Sequence, residues 1–503
     1  PWPEVSLGDW LREHLPQGGK VGFDPWLHSV NQIDQTEAAL EGSGVQLVPV
    51  ENLVDRIWHD QPAPPMAPVD VHPLEHAGES HADKRARLGA VLREKGEAAA
   101  VITLPDSLCW LLNLRGADIP RNPVAHGFAV LHASGEVDLF MDERKLAGIG
   151  DHLDIGVRVH APDMLLTRLA GMPGPLRLDR DSVPVVIAEA VGDKLSWGQD
   201  PCALPKATKN AAEIEGSVQA HLRDGAAVVE TLAWLDGQRP GSVTETQVVE
   251  KLEGFRRQDP ALRDISFETI AGTGPNGAIM HYRVTEETDA TLQAGHLLVL
   301  DSGGQYLDGT TDITRTVAIG EPPAEACRAF TRVLAGMIAM SRLRWPAGLA
   351  GQHIEAVGRM PLWLAGQDFD HGLGHGVGAY LSVHEGPQRL SKLSKIPLEP
   401  GMILSNEPGY YREGAFGIRI ENLLVVEPAP TLPDGDAHRK MLNWRTLSFA
   451  PIDRRLILPE MLDPSALAWL NAYHAEVAEK IGPRLSHGAK LWLDTATAPI
   501  GAA

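Results

Sequence analysis

The chain has 503 residues, 43% of them hydrophobic and 22% charged, which is an ordinary composition for a globular protein. This length exceeds what one hydrophobic core can hold and predicts several domains. With 45 basic and 66 acidic side chains, the formal net charge is −21. A surface this acidic repels phosphate groups, so we expect neither nucleic acid nor an anionic membrane as a partner. No run approaches the roughly 18 consecutive apolar residues that a membrane span needs.

The chain has three cysteines, Cys109, Cys202 and Cys327. Their odd number and wide spacing argue against a disulfide framework and favour a reducing compartment, so we expect a cytoplasmic protein. The sequence begins Pro1-Trp2-Pro3, without an initiator Met or a signal segment. We therefore expect that its true start lies upstream, where an export signal would not be visible.

Residues 1–62 alternate helical and strand patterns. Helices are predicted at Ser6–Leu15 and Val30–Leu40, and strands at Lys20–Asp24 and Val45–Val50. This is an α/β pattern, but two strands are too few to close a sheet. We therefore predict that residues 1–62 are the truncated remainder of a first α/β domain.

A proline-rich stretch follows, with five prolines between positions 61 and 73. It can sustain neither a helix nor a central strand, so residues 63–78 are predicted to be a stiff linker. A second α/β domain is predicted for residues 79–205. Its expected elements are helices at Ala82–Glu94 and Ser107–Leu114, a strand at Ala98–Thr103, and a hairpin of Val124–His132 and Glu136–Met141.

Residues 206–440 combine long helical patterns with strong strand patterns. Thr244 and Gln247 form a capping-box pattern before a helix at Val248–Phe255, and later helices are predicted at Ala324–Arg344 and Gly351–Ala365. Strands are predicted at His296–Ser302, Thr311–Ile319, Gly401–Tyr411 and Phe416–Glu427. Helices grouped beside antiparallel strands predict an α+β domain.

Two acidic residues flank a hairpin pattern within this domain. Asp301 and Asp312 are 11 positions apart, and their midpoint falls in a connection that contains Asp308-Gly309. In a symmetric hairpin their Cβ atoms would lie opposite each other, about 5 Å apart. Like charges in that position are destabilising unless something neutralises them.

A second hairpin pattern repeats this arrangement. Glu407 and Glu421 are 14 positions apart with their midpoint at Gly414, and we predict that they also face each other. A single pair could be balanced by water at a sheet edge or by a neighbouring arginine, Arg315 or Arg419. Two such pairs in one domain are harder to explain in that way, and a cluster of divalent cations is the simplest neutraliser.

Histidines accompany a glycine-dense segment. His371 and His375 stand in His-Gly-Leu-Gly-His-Gly-Val-Gly, and His384 follows in Val-His-Glu-Gly-Pro. Glycine at every second position is costly in a helix or strand, so a close approach of the backbone is expected. One histidine is more often structural than functional, but three within fourteen positions favour a site. His281 is a weaker candidate, for which a structural role is an equal alternative.

The donor set predicts the kind of metal. Oxygen ligands with one imidazole suit Mn²⁺ or a similarly hard ion better than Zn²⁺ bound by thiolates. Four carboxylates and one histidine exceed what a single ion needs, so we expect two ions that share bridging carboxylates. Two metal ions can lower the pKa of a trapped water molecule and polarise a carbonyl group, which is hydrolytic chemistry.

These motifs resemble those of the metallopeptidase family with the pita-bread fold, M24, and within it the long, three-domain Xaa-Pro aminopeptidases (aminopeptidase P). The family's ligand order is Asp, Asp, His, Glu, Glu, which the resemblance places at Asp301, Asp312, His375, Glu407 and Glu421. The matching segments are DSGGQYLDGTTDITRT, HGLGHGVG, NEPGYY and RIEN. Further likeness in ENLVDRIW, WLLNLRG, TGPNGAIMHYR and from Leu447 to Ile500 extends it over almost the whole chain.

The resemblance implies an α+β architecture. A pita-bread catalytic domain at residues 206–440, with an extension at 441–503, would be preceded by α/β creatinase-type N-terminal domains. The implied activity is removal of the N-terminal residue from peptides with proline in the second position, by a homodimer. A hydroxide bridging two Mn²⁺ ions would attack the carbonyl group before the proline.

Roles for individual residues also follow from the resemblance. Glu407 would bind metal and pass on the proton. His281 and His384 would hydrogen-bond the peptide near the reacting carbonyl group, and His371 would help to close the pocket. The free amine of the peptide would be held by the metals and Asp301, and apolar walls would select the proline ring, whose φ is fixed.

Three alternatives remain at this stage. Prolidase shares the fold and the metals but cleaves dipeptides only, and it normally has one N-terminal domain. Creatinase works without metal and lacks these ligands. A non-catalytic pita-bread module that binds peptides or proteins is the alternative from another class; such relatives have lost metal ligands, whereas all five are present here.

Overall fold

A computed structural model describes residues 5–436 and 438–501. Within it the chain divides into two compact units. The first unit contains the described residues up to Leu74, together with Glu79–Ile119 and Val124–Ala203. The second contains Glu75–Gly78, Pro120–Pro123 and the described residues from Leu204 onwards. The finer domain boundaries at residues 62, 78, 205 and 440 stay a prediction.

The first unit mixes helices with short strands. Its helices are α1 (Leu7–His14), α2 (Val30–Leu40), α3 (Leu53–Ile57), α5 (His81–Glu94), α6 (Pro105–Leu112), α7 (Leu165–Gly171) and α8 (Val185–Val191), while α4 (Leu74–Ala77) and α9 (Ala203–Ala207) span the points where the chain changes unit. Its strands are β1 (Gly19–Phe23), β2 (Val45–Pro49), β3 (Asp70–Val71), β4 (Ala99–Ile102), β5 (Leu114–Arg115), β6 (Phe128–His132), β7 (Val137–Phe140), β8 (Val157–His160), β9 (Leu176–Leu178) and β10 (Leu195–Trp197).

A six-stranded mixed sheet forms the centre of the first unit, in the order β10-β9-β4-β6-β7-β8. The predicted hairpin is confirmed as β6 and β7, with Gly135 at positive φ in the turn, although β6 begins only at Phe128. Strands β1 and β2 form a separate parallel pair. The backbone N–H of Val30 donates to Val183 O, so the segment assigned to a first domain is hydrogen-bonded to the segment assigned to a second.

The second unit is larger and combines long helices with antiparallel strands. Its helices are α10 (Ala211–Asp236), α11 (Glu245–Arg256), α12 (Ala324–Ser341), α13 (Gly351–Ile354), α14 (Ala356–Trp363), α15 (Pro464–Ile481) and α16 (His487–Ala496). Its strands are β11 (Leu262–Ile265), β12 (Ile270–Thr273), β13 (Leu297–Ser302), β14 (Gly304–Tyr306), β15 (Gly309–Thr310), β16 (Ile313–Ala318), β17 (Arg344–Pro346), β18 (Gly374–Gly376), β19 (Glu385–Leu390), β20 (Ile403–Asn406), β21 (Gly409–Arg412), β22 (Phe416–Arg419), β23 (Asn422–Pro428) and β24 (Met441–Thr446).

Four sheets make up the β-structure described for this unit. The orders are β12-β13-β16, β11-β14-β15, β21-β22 and β17-β24-β23-β20-β18-β19. One apolar core packs the helices against these strands; it includes Leu232 of α10, Phe330 of α12, Leu470 of α15, Leu298 of β13 and Leu424 of β23. The α+β architecture predicted for the catalytic region is therefore confirmed.

Local capping fixes where the long helices begin. Asn210 caps α10, since its side chain accepts from the backbone N–H groups of Ala212 and Glu213 while the Glu213 side chain accepts from Asn210 N. The capping box predicted from Thr244 and Gln247 is confirmed at the start of α11. These boxes satisfy backbone donors that a helix N-terminus otherwise leaves unpaired.

Several predicted elements have different bounds. The helix predicted for Ala324–Arg344 ends at Ser341, because Arg344 instead begins β17 and pairs with β24. The helix predicted for Gly351–Ala365 is divided into α13 and α14. The strand predicted for Gly401–Tyr411 is divided between β20 and β21, because Pro408 has no N–H for the ladder and Glu407 N donates to Leu373 O instead. The strand predicted for Thr311–Ile319 begins at Ile313.

Two further observations concern the helices and the cysteines. Of the helices in the described part of the chain, none combines the length and apolar character needed to cross a membrane. Cys109, Cys202 and Cys327 are all buried, and no disulfide joins any of the described residues.

Candidate metal centre

The first acidic pair has a different register from the predicted one. Asp301 of β13 lies opposite Thr314 of β16, not opposite Asp312. The prediction of a facing pair is wrong because the connection contains its own short hairpin, in which Gln305 pairs with Thr310 and Tyr306 pairs with Gly309. Side chains two positions apart on a strand share one face, so Asp301 and Asp312 are diagonal neighbours on the same face of the sheet.

The second acidic pair has the predicted register. Asn406 lies opposite Asn422 and Gly409 opposite Arg419, so the same register places Glu407 opposite Glu421. At this point the ladder opens: Glu407 N donates to Leu373 O, and Glu421 N donates to Thr314 O. Because the two glutamates occupy the gap between strand pairs, their backbone groups bond to other parts of the site.

His375 projects from β18, between two glycines that pack closely. A Cβ atom on Gly374 would lie 1.9 Å from Ser405 O, so only glycine fits there. The His375 Nδ1 atom is 2.9 Å from Gly376 O and donates to it, which leaves Nε2 as a free ligand atom. Nε2 lies 3.5 Å from Asp312 Oδ2 and 3.4 Å from Glu407 Oε1.

The ligand atoms of three residues converge closely enough to hold one ion. Asp312, His375 and Glu421 each offer a ligand atom, and these atoms lie within 4.8 Å of one another. Within the described part of the chain, Asp301 Oδ1, Asp312 Oδ1 and Glu421 Oε1 are buried oxygens without a hydrogen-bond partner. Buried carboxylate oxygens without partners are costly, so this donor set fits divalent cations.

Burial makes these acids weak in the absence of a cation. Burial, and then the charges of Asp301 and Glu407, raise the pKa of Asp312 well above its usual range. Burial, and then Asp312, raise the pKa of Glu421 in the same way. The pKa of Glu407 is also raised by burial, against the opposing effect of His375. A nearby divalent cation reverses this preference and favours the ionised carboxylates.

Two neutral hydroxyl groups orient the glutamates. Ser405 Oγ donates to Glu407 Oε1 at 3.0 Å, and Thr314 Oγ1 donates to Glu421 Oε2 at 2.8 Å. Each bond occupies one oxygen of a carboxylate and leaves the other for a ligand. Hydrogen bonds of this kind fix the geometry of metal ligands in proteins.

A hydrogen-bonded network lies beside Asp301 and includes Arg419, one of the two arginines that the sequence offered as a counter-ion. Arg419 donates to Asp301 Oδ2 at 2.5 Å and to Tyr411 Oη at 2.6 Å. The Tyr411 hydroxyl in turn donates to His371 Nε2 at 2.9 Å, while His371 Nδ1 donates to Gly372 O. Burial raises the pKa of Tyr411 to about 12, so the hydroxyl keeps its proton. Only the position of Arg419, two residues before Glu421 on the same strand face, signalled this role.

All eight predicted site residues line one cavity of about 720 Å³. They are Asp301, Asp312, His375, Glu407, Glu421, His281, His371 and His384. The rings of His384 and His375 have centroids 4.3 Å apart and meet edge to face. Burial lowers the pKa of His384 to about 4 and of His371 to about 3, so both imidazoles are neutral near pH 7.

The cavity also has apolar and charged walls that the sequence did not identify. Its lining includes the apolar residues Phe267, Ile270 and Met280. The basic residues Arg389 and Lys392 also line it. A cavity that combines a carboxylate cluster with an apolar wall can hold a peptide carbonyl near cations and a side chain near hydrocarbon.

A buried cluster of four carboxylates and an imidazole over such a cavity defines the class of protein as a metal-dependent hydrolase. Family models match over most of the chain: the creatinase/prolidase N-terminal domain at residues 60–213, metallopeptidase family M24 at 215–428, and the C-terminal region of peptidase M24 at 440–500. The chain belongs to metallopeptidase family M24.

Similar proteins agree with this assignment. The chain is 38% identical to aminopeptidase P2 of Arabidopsis thaliana, over 98% of this chain and 76% of that one. It is 39% identical to a probable Xaa-Pro aminopeptidase P of Laccaria bicolor, over 99% and 80%. Among solved structures it is similar to the X-prolyl aminopeptidase of Caenorhabditis elegans, described as a cytosolic enzyme with a di-nuclear active site: TM-score 0.94, 33% identity, over 99% and 84% of the chains. An Xaa-Pro dipeptidase of Bacillus anthracis matches with a TM-score of 0.60 and 25% identity, over 75% of this chain and 100% of that one.

Proposed function

We propose that this protein is an aminopeptidase that removes the N-terminal residue from peptides with proline in the second position. We also propose that it uses two divalent cations and that Mn²⁺ is the preferred ion. The observation that carries the proposal is the convergence of five donor side chains, with unpartnered buried oxygens, on one cavity. The proposed ligands are Asp301, Asp312, His375, Glu407 and Glu421. The names of the similar proteins in Arabidopsis and Caenorhabditis support the substrate class.

Asp301, Asp312, His375, Glu407 and Glu421 would hold two divalent cations, which would supply Lewis-acid chemistry by lowering the pKa of water and polarising the carbonyl group before proline. The side chains of this chain do the rest. Glu407 accepts the proton from the attacking water and delivers it to the leaving proline nitrogen. Its bond from Ser405 holds one carboxylate oxygen still during this transfer.

Neutral imidazoles serve as hydrogen-bond partners of the substrate. His384, next to His375, donates to the oxygen of the reacting carbonyl group as its negative charge develops. His281, which also lines the cavity, contacts the peptide, and His371, held by Tyr411 and Gly372, closes the pocket. Phe267, Ile270 and Met280 provide the apolar wall for the proline ring.

The alternative within the same family is a prolidase that cleaves Xaa-Pro dipeptides. It shares the same donor set, so the cavity does not separate the two activities. The identities of 38% and 39% to aminopeptidases, against 25% to the Bacillus dipeptidase, favour the aminopeptidase. The dipeptidase also leaves a quarter of this chain without a counterpart.

We further propose a cytoplasmic homodimer. Three buried cysteines without a disulfide support a reducing compartment, as does the cytosolic relative from Caenorhabditis. Met360, Trp363 and Leu364 are exposed apolar side chains in and after α14, which support a contact between subunits.

The proposed function is tested with metal-free protein to which Mn²⁺, Zn²⁺ and Co²⁺ are added separately. We expect Mn²⁺ to give cleavage of an Xaa-Pro-Xaa tripeptide after its first residue, with little cleavage of an Xaa-Ala-Xaa control. Cleavage of the Xaa-Pro dipeptide alone would favour prolidase. Protein that binds no metal and cleaves neither peptide would favour a binding module.

A further inference from the structure

A buried cluster of charged side chains adjoins His384 along the chain. Glu385 is the first residue of β19, and its Oε1 accepts a hydrogen bond from Lys206 Nζ at 3.0 Å. Its other oxygen, Oε2, accepts from Lys209 Nζ. All three side chains are almost inaccessible to solvent: 0% exposed for Glu385, 3% for Lys206 and 1% for Lys209. We call these three residues the Glu385 clasp.

The clasp is costly to bury and therefore depends on pairing. Burial lowers the pKa of Lys209, while the charges of Glu385 and Glu213 act in the opposite direction. An ammonium group in such surroundings is tolerated only beside a carboxylate. Removing Glu385 leaves two buried cations without their shared partner, so the side chain fixes the local geometry strongly.

The lysines are themselves held in place. Lys206 lies in α9, and Lys209 directly precedes Asn210, the N-cap of α10. The Lys209 backbone N–H donates to Gly401 O at 3.0 Å, and a Cβ atom on Gly401 would lie 2.6 Å from Lys209 O. The two lysines of the Glu385 clasp are therefore held just before the start of α10.

The ring of His384 has no comparable support of its own. In residues 5–436 and 438–501 it makes no hydrogen bond, and its ring contact is the edge-to-face one with His375. His371, in contrast, is held at both ring nitrogens, by Gly372 O and by Tyr411. The position of the His384 imidazole must therefore be set by its backbone, at the end of the loop that joins β18 to β19.

The Glu385 clasp lies where it can fix the backbone position of His384. Glu385 follows His384 directly and lies opposite Gly376, the neighbour of His375, where β18 and β19 pair with a register shift. Holding the Glu385 carboxylate thus holds the start of β19 against the strand that carries His375. The preceding loop is held separately, because Gln305 Nε2 and Thr310 Oγ1 donate to Leu381 O.

We propose that Lys206 and Lys209, acting through Glu385, are positioning residues that keep the imidazole of His384 beside that of His375 while a peptide is bound. This inference rests on the role of His384 in the proposed function. If these residues formed only a structural ion pair, they would stabilise the fold but would not affect kcat through His384. The two possibilities therefore predict different values of kcat.

The experiment compares Glu385→Gln in the wild-type background and in a His384→Ala background. If Glu385 acts through His384, Glu385→Gln lowers kcat about tenfold or more in the wild-type background, with bound metal unchanged. In the His384→Ala background it causes no further loss of kcat, because the group that it positions is already gone. The same loss in both backgrounds would overturn the proposal.

A matched control separates positioning from stability. Glu97 in the first unit is another buried carboxylate, which accepts from Arg177 Nε at 2.7 Å. Glu97→Gln is expected to lower the thermal midpoint and leave kcat as in the wild type. If Glu385→Gln lowers kcat no more than Glu97→Gln does, the proposal is wrong.

Two further measurements keep the test decisive. Lys209→Met is the milder variant should Glu385→Gln not fold, and Lys209→Arg is expected to retain most of the kcat that Lys209→Met loses. Crystal structures of wild type and Glu385→Gln or Lys209→Met report the His384 ring directly. We expect the His384 ring to be displaced or disordered in these variants. A ring in its wild-type position would contradict the positioning role of the Glu385 clasp. This readout still applies if the wild type cleaves no Xaa-Pro peptide, a result that would reject the proposed function instead.

Discussion

Arg419 donates a hydrogen bond of 2.5 Å to Asp301 Oδ2, and no described residue is bonded to the other oxygen, Oδ1. One oxygen of the Asp301 carboxylate is thus bonded to a guanidinium group that is always charged, and the other oxygen is available to a ligand. Arg419 also donates to Tyr411, whose hydroxyl group donates to His371, so the orientation of Asp301 is linked to that of His371. One guanidinium therefore connects the carboxylate cluster to the substrate cavity.

Replacing Arg419 with lysine is expected to weaken metal binding and turnover together. An ammonium group cannot reach Asp301 and Tyr411 in the fixed fork geometry of a guanidinium. We expect a loss of about 10- to 100-fold in metal affinity or kcat, as for other partners of metal ligands. Titration of the metal-free protein with Mn²⁺, followed by kinetics, measures both. Tyr411→Phe is the comparison, since it keeps the bond to Asp301; equal metal affinity in wild type and Arg419→Lys would contradict this role.

Replacing Asp312 or Glu421 with alanine is expected to abolish metal binding and activity together. Each removes one of three side chains whose donor atoms lie within 4.8 Å of one another, the third being His375. Metal analysis and peptide cleavage on the same preparations check this. Glu413, an exposed acid in the turn between β21 and β22, gives the matched control Glu413→Ala, which should behave as the wild type. Wild-type turnover in Asp312→Ala or Glu421→Ala would reject the assignment.

Replacing His384 with alanine should affect the reaction without affecting the metal. Its neutral ring lies beside His375, and under the proposed function its loss would remove a hydrogen bond to the developing charge. We expect kcat to fall about 100-fold while metal content stays constant. The exposed His487 supplies the control variant His487→Ala. Loss of metal from His384→Ala would show that its role lies elsewhere.

His474 gives the protein a pH-dependent stability away from the cavity. Its Nε2 accepts a hydrogen bond of 3.1 Å from Ile452 N, and burial lowers its pKa to about 4. The folded protein keeps this ring neutral, whereas the unfolded chain binds a proton below about pH 6.5. The free energy of unfolding therefore falls as the pH drops from 6.5 towards 4, by up to about 3 kcal/mol from this group.

His474→Gln removes the titration and can still accept the bond from Ile452. Urea unfolding at pH 7.5 and pH 5 measures the effect in holoenzyme of both proteins, so that loss of metal at low pH affects them alike. We expect the wild type to lose more stability between these pH values than the variant. Parallel losses would show that His474 does not contribute.

The strand register could be predicted from the sequence for one of the two carboxylate pairs and not for the other. Glu407 and Glu421 were placed correctly because a short turn around Gly414, at φ +69°, fixes a simple register. Asp301 and Asp312 were misplaced by two positions, because the short pair of β14 and β15 interrupts their connection and belongs to another sheet. Local patterns cannot show that interruption, since neither short strand has a distinctive periodicity.

Contacts between distant parts of the chain were beyond local patterns. Lys206 and Lys209 are separated from Glu385 by 179 and 176 positions, and Arg419 from Asp301 by 118. Charged residues are common on surfaces, so nothing in the sequence around Lys206, Lys209 or Glu385 signals burial, and for Arg419 the sequence offers only a choice between two arginines. Their roles appear only when the strands have brought them together.

The most direct test of the account is anomalous diffraction from crystals grown with Mn²⁺, with data collected on both sides of the manganese edge. We expect two anomalous peaks per chain within the cavity, each in contact with oxygens from the four carboxylates and one in contact with His375 Nε2. Absence of both peaks at saturating Mn²⁺, or peaks bound by other residues, would contradict the claim that these five side chains form a metal centre.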